Sequence, residues 1–181
     1  MLLVTAGCLI IAAFVTSLDR HDKVSDEMGG KIFPDLPVND ISKIILRSAD
    51  NAIVLERTGA EWIVSSLYGV SADFERIRSM LIDIMNLEKD QKLDLAMKQK
   101  EELNLIMPDE GKGEADSAGL LVEMMGKDDV VMASLLLGKE RPSKETGRGM
   151  RYNLPDGRYV SPNRGTNVYL VSDNLYDVSS D

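Results

Sequence analysis

The first hydrophobic pattern along the chain is unbroken: Met1 to Leu18 carries no charge, and Leu2 to Leu18 reads LLVTAGCLIIAAFVTSL. As a helix rising ~1.5 Å per residue this run spans roughly 26 Å, close to the ~30 Å hydrocarbon core of a bilayer. Leu2, Leu3, Val4, Leu9, Ile10, Ile11, Phe14, Val15 and Leu18 favour insertion, together by roughly 3 to 5 kcal/mol. Residues 1–18 are therefore predicted to be an uncleaved transmembrane anchor, because no small-x-small cleavage site follows them. Asp19 to Lys31 is polar and ends in Gly29-Gly30, which predicts a juxtamembrane linker over 19–31.

Beyond the linker the pattern shortens. Ile41 to Arg47, Ala52 to Thr58 and Glu61 to Ser65 are runs rich in Ile, Leu and Val, broken by Ser48-Ala49-Asp50-Asn51 and Gly59-Ala60. They predict a three-strand antiparallel meander, with Trp62 packed on the core. Ser71-Ala72-Asp73 then offers a helix cap, and Phe74, Ile77, Leu81, Ile84 and Met85 follow at helical spacing. This helix is expected to lay its apolar face on the meander.

Lys89 to Leu95 predicts a further strand, and Lys98 to Leu105 a short helix stopped by Pro108. Asp109 to Ala118 has the composition of a solvated loop. Leu120 to Met125 and Val130 to Leu137, joined by Gly126-Lys127-Asp128-Asp129, predict a hairpin. The charged stretch Gly138 to Gly149 reads as a mobile loop. Strands are expected at Met150 to Leu154, Arg158 to Val160 and Asn167 to Val171, with turns at Pro155-Asp156-Gly157 and Pro162-Asn163-Arg164-Gly165. The fold class is thus α+β: a transmembrane helix, then antiparallel hairpins over residues 32–181 packed with one main amphipathic helix.

Charge narrows the classes of partner. The net charge is −9, all of it outside the anchor. Binding nucleic acid needs a concentrated basic face, so nucleic acid is not an expected partner. Arg20 and Lys23 follow the apolar run and nothing basic precedes it, which taken alone leans toward a cytoplasmic C-terminus.

Candidate chemistry is sparse. Thr5-Ala6-Gly7-Cys8 resembles a lipoprotein box, but Thr5 stands where Leu or Val is normal and the apolar run continues to Val15. Cys8, the single cysteine, is read as membrane-embedded. His21, the single histidine, lies in the linker, so no Cys–His pair or triad is available. Asp109, Glu110, Glu114 and Asp116 lack the alternation of a calcium loop, and the glycines among them do not form a phosphate-binding pattern. No catalytic, cofactor-binding or metal-ligating residue is nominated, and no cofactor is expected.

The order of these pieces resembles a known family. KIFPDLPVNDISKIIL, VLERTGAEWIV and SADFERIRSML, then EELNLIMP, LLLGKE, MRYNLPDG and VYLVSDNL, are similar in sequence and spacing to the domain-of-unknown-function family 4340. The resemblance runs from Lys31 to Leu175. It implies an N-terminal membrane helix with an extracytoplasmic domain, in some members linked to gliding-motility ABC-type transport systems. It implies no catalytic residues. This chain departs from the family in lacking a basic leader and in stopping soon after Leu175, where longer members continue.

These readings together predict a non-enzymatic accessory or scaffold subunit of the inner membrane. Residues 2–18 would lie in the lipid bilayer, and the domain would face the periplasm or the outside, docked on a membrane protein complex or transporter. Tyr152, Tyr159, Tyr169 and Tyr176 suit either an interface or ordinary strands. The alternatives are a carboxylate-dependent envelope hydrolase, which needs two buried carboxylates in a deep cleft, and a small-ligand sensor with an enclosed apolar cavity.

Overall fold

A computed structural model describes residues 28–108, 117–142, 155–173, 175 and 178. Among them nine strands form one antiparallel sheet in the order β4-β3-β2-β1-β6-β7-β8-β9-β5. The α+β class holds, with the sheet dominating.

The predicted meander is present. β1 (Lys43–Arg47), β2 (Ala52–Thr58) and β3 (Glu61–Val64) pair in sequence, and β4 (Val70–Ser71) adds a short edge. Ser48 closes the first turn by bonding Asn51 through both backbone and hydroxyl. Gly59, at φ +67°, supplies the backbone that the tight second turn requires.

From that edge the chain crosses the sheet. Asp73 caps α1 (Phe74–Asn86), its carboxylate accepting the amides of Glu75 and Arg76 at 2.9 and 3.2 Å. The chain then runs extended through Leu87 to Asp90 into β5 (Gln91–Leu93), at the opposite edge beside β9. Nine strands at ~4.8 Å spacing make a sheet roughly 38 Å wide. Thirteen helical residues cover ~20 Å, and the extended residues on either side supply roughly 20 Å more.

The buried face of α1 is Ile77, Met80 and Ile84, which share a core with Ile44, Leu46, Leu55 and Trp62 of the meander. Trp62 packs as expected. Phe74 does not: it is 52 % exposed, because the helix is rotated so that the 77–80–84 row faces the sheet. The same core continues into Val160, Tyr169 and Val171, and is closed by Ile32, Leu175 and Val178. Gly29, Gly30 and Ile32 exchange backbone hydrogen bonds with Leu87 and Lys89, so the last residues assigned to the linker, Gly29 to Lys31, dock on the domain.

The second half is a run of long hairpins: β6 (Leu120–Met125), β7 (Val131–Pro142), β8 (Pro155–Pro162) and β9 (Val168–Val171). Two expectations fail here. Gly138 to Pro142 is strand rather than mobile loop, because Glu140 and Pro142 pair with Arg158 and Pro155 and Arg141 holds Asp156 at 2.9 Å. Pro155-Asp156-Gly157 is likewise the start of β8, not a turn. Gly157 sits at φ +113°, and a Cβ there would lie 2.3 Å from the carbonyl oxygen of Val171, so this glycine marks a close strand approach.

The back of this half is covered by α2 (Met97–Glu102) and the segment after it. The helix ends earlier than the expected Lys98 to Leu105, because Asn104 adopts φ +54° and turns the chain back. Leu105 and Met107 then pack on Leu121, Leu136 and Val168, a second core on the opposite face. Strand alternation separates the two: Leu135 and Leu137 point to the first core, Leu136 to the second.

Among the described residues no helix is long and apolar enough to cross a membrane. The predicted anchor Leu2 to Leu18 and the predicted strand Met150 to Leu154 lie outside the described residues. So do Cys8, His21, Tyr152, Tyr176 and the acidic residues Asp109 to Asp116.

The cap sets the start of the crossing helix, so Asp73→Ala should lower stability by about 1 kcal/mol without changing the fold. Urea denaturation followed by circular dichroism measures it, and an unchanged midpoint would show that packing alone fixes the start of α1.

Candidate functional site

Three places gather functional-group chemistry or unpaired apolar surface. The first lies on the back of the sheet. Glu123 of β6 points away from α1, between Leu121 and Met125, and is 5 % exposed. Arg164 reaches it from the β8–β9 turn, with Nη2 and Nε donating to one carboxylate oxygen at 2.9 and 3.2 Å. Asn163 and Arg164 both take positive φ, which aims the side chain inward. Ser134 and Asn163 exchange hydrogen bonds alongside, and the Ser161 hydroxyl lies within bonding distance of the Gly165 and Asn167 carbonyls. These contacts staple the turn to the sheet.

Among the described residues Lys89 is the other buried charge. Its ammonium lies 5.6 Å from the centre of the Tyr169 ring, over the first core. Lys43, on the outer side of β1, bonds Asp129 at 3.0 Å and Glu56 at 3.2 Å. The hydrogen bond to Asp129, followed by that to Glu56, raises its pKa above the usual 10.5. Among the described residues no group of three or more His, Cys, Asp or Glu side chains could hold a metal ion.

The second place is the β4 edge. Leu67, Tyr68, Val70 and Phe74 are all more than half exposed, and Tyr68 is fully so. They are close in sequence because a short 3-10 turn, Ser65–Leu67, ends on Tyr68 in a left-handed conformation and feeds β4 directly. Trp62 to Ala72 contains no charged residue. The exposed tyrosine is therefore not one of the four singled out by sequence: Tyr159 is part of the second core and Tyr169 is buried in the first. The signal that could have located it is the uncharged stretch with Gly69 directly after the tyrosine.

The third place is a pair of open clefts flanking α1. One, about 280 Å³, lies between Ile53, Leu55, Val64, Leu67, Ile77 and Met80. The other, about 400 Å³, is walled by Ile41, Trp62, Phe74, Leu81 and Met85, with Arg57 and Arg78 also lining it. Both are lined mainly by apolar side chains and are open to solvent, and Asp73 and Arg76 also line the first. No known protein family, curated protein or solved structure matches the chain.

Arg164→Ala would leave Glu123 buried without its guanidinium and should cost about 2 kcal/mol, less in a Glu123→Leu background. A double-mutant cycle by urea unfolding checks this, and strict additivity would mean that the pair contributes no coupling. Lys43 supplies a pH test. A raised pKa in the folded state means that its contribution is complete below about pH 10.5 and is lost as pH rises through the raised value. The stability difference between the native chain and Lys43→Met should therefore shrink between pH 10 and 12, and a constant difference would show that the lysine acts through packing alone.

Proposed function

We infer that the chain is a non-enzymatic accessory module, held at the inner membrane by Leu2 to Leu18, whose domain docks on a membrane protein complex or transporter from the periplasmic or outer side. The observation that carries the docking half is the uncharged, apolar β4 edge. A short edge strand carrying Val70, flanked by Leu67, Tyr68 and Phe74 in water, can add a strand or an apolar segment of a partner, with the backbone supplying affinity and the side chains specificity. Tyrosine and phenylalanine are favoured at such surfaces because they offer large contact area at low entropic cost.

The anchored half is supported by the hydrophobic energy of the N-terminal run, and the direction the domain faces by the order of motifs over Lys31 to Leu175, a likeness that no family model reaches. An envelope hydrolase finds less support. The buried carboxylate among the described residues, Glu123, is engaged by Arg164.

Val70→Asp places a charge on the edge without touching the core. The tagged full chain, extracted in mild detergent, should co-migrate with a membrane complex in fixed ratio, and Val70→Asp or Tyr68→Ser should reduce that recovery about tenfold. A native chain that elutes alone as a monomer would overturn the docking reading. Protease added after the outer envelope is opened should digest the domain, and protection at that stage would overturn its orientation.

A further inference from the structure

The larger cleft beside α1 has a chemistry that docking at the sheet edge does not use. Phe74, Arg78, Leu81 and Met85 recur every three or four residues and form one row along the helix surface. The row runs beside the buried Ile77–Met80–Ile84 row and walls the cavity, with Trp62 and Ile41 also lining it. At about 400 Å³ the cleft falls within the range of about 300–1,000 Å³ common to small-molecule sites. Phe74 and Ile82 on its walls are 52 % and 39 % exposed, so apolar surface stands open to water there.

Its charge is the opposite of the chain's. The net charge of the protein is −9, yet the charged residues lining this cavity are Arg57 and Arg78, with no carboxylate among them. Arg57 is steadied by one hydrogen bond, from Nη1 to the Asn39 carbonyl at 3.2 Å. Arg78 meets Glu75 at 3.4 Å, with both side chains well exposed, a contact that water weakens and an arriving anion can replace. Guanidinium groups are suited to carboxylate and phosphate oxygens.

We propose that this cleft binds a single-chain amphiphile with an anionic head, its tail along Trp62, Leu81 and Met85 and its carboxylate or phosphate on Arg57 and Arg78. The walls favour an acyl chain over a peptide. A peptide would bring backbone amides and carbonyls, and the lining, apart from Asn39 and the two arginines, is apolar and cannot satisfy them. The site shares only Phe74 with the exposed edge patch, and the proposal does not depend on a protein partner.

Trp62 is the single tryptophan of the chain, so its fluorescence reports this wall directly. The full chain, kept in solution by a non-ionic amphipol without tryptophan, is titrated below micellar concentrations with dodecanoate, dodecyl phosphate and dodecyltrimethylammonium. Either anion should give a saturable change, at least tenfold tighter than the cation. Saturation by dodecanoate alone assigns a carboxylate head, and by dodecyl phosphate alone a phosphate head. Arg57→Gln with Arg78→Gln should weaken the anion about tenfold at unchanged melting temperature, and each single substitution should weaken it less. If the double variant does not fold, the singles carry the same comparison. Equal responses to anion and cation, no saturable response to any of the three, or anion affinity indifferent to both arginines would each overturn the proposal.

Discussion

One helix has to reach from one edge of the sheet to the other. β4 and β5 are joined by one crossing segment in sequence and stand at opposite ends of the nine-strand order. The segment from Ala72 to Asp90 makes that crossing with a helix in the middle and extended residues at its ends. Asp73 fixes where the helix begins, and Leu87 to Asp90 fix where it lets go. The register of α1 over the sheet follows, and with it the choice of Ile77, Met80 and Ile84 as the buried row. The chain segment that precedes β1 docks on the end of this same crossing, through the bonds of Gly29, Gly30 and Ile32 to Leu87 and Lys89.

How much of this was legible in the sequence depended on whether the deciding contacts were local. The meander was readable because its turns carry their own chemistry, Ser48 with Asn51 and Gly59 at positive φ. The cap at Asp73 was readable for the same reason. Gly138 to Pro142 was not. Its charge and glycine content look like loop, and only pairing with β8, more than a dozen residues later, makes it strand. Phe74 was misplaced because helical spacing identifies an apolar arc without saying which part of that arc meets the sheet. Position β5 at the far edge is a topological fact that no local pattern carries.

The candidate sites were less legible still. Tyr68 is exposed because a 3-10 turn closes on it in a left-handed conformation, and an ordinary reading of tyrosines as strand residues passes over it. Glu123 reads as the polar interruption of an apolar strand. Its meaning comes from Arg164, forty-one residues on, held inward by two successive positive-φ residues. The two arginines of the cleft lie on different elements, Arg57 on β2 and Arg78 on α1, and only the packing of the helix on the sheet brings them to one cavity.

The clefts are a consequence of the crossing itself. A helix that crosses the strands covers about 10 Å along them, whereas β1 and β2, five and seven residues long, run roughly 17–23 Å. Elsewhere the shortfall is filled: Ile32, Leu175 and Val178 close the core at the β9 end. Over β2 and β3 the described residues supply no such filler, and the helix is left with a channel on each flank. Filling those channels with larger side chains would add buried apolar area, which is the ordinary route to a more stable domain. The row Phe74–Arg78–Leu81–Met85 instead places a cation in the middle of an apolar wall. A charge there forgoes packing that leucine would provide, and a ligand with both a tail and an anion recovers that loss on binding.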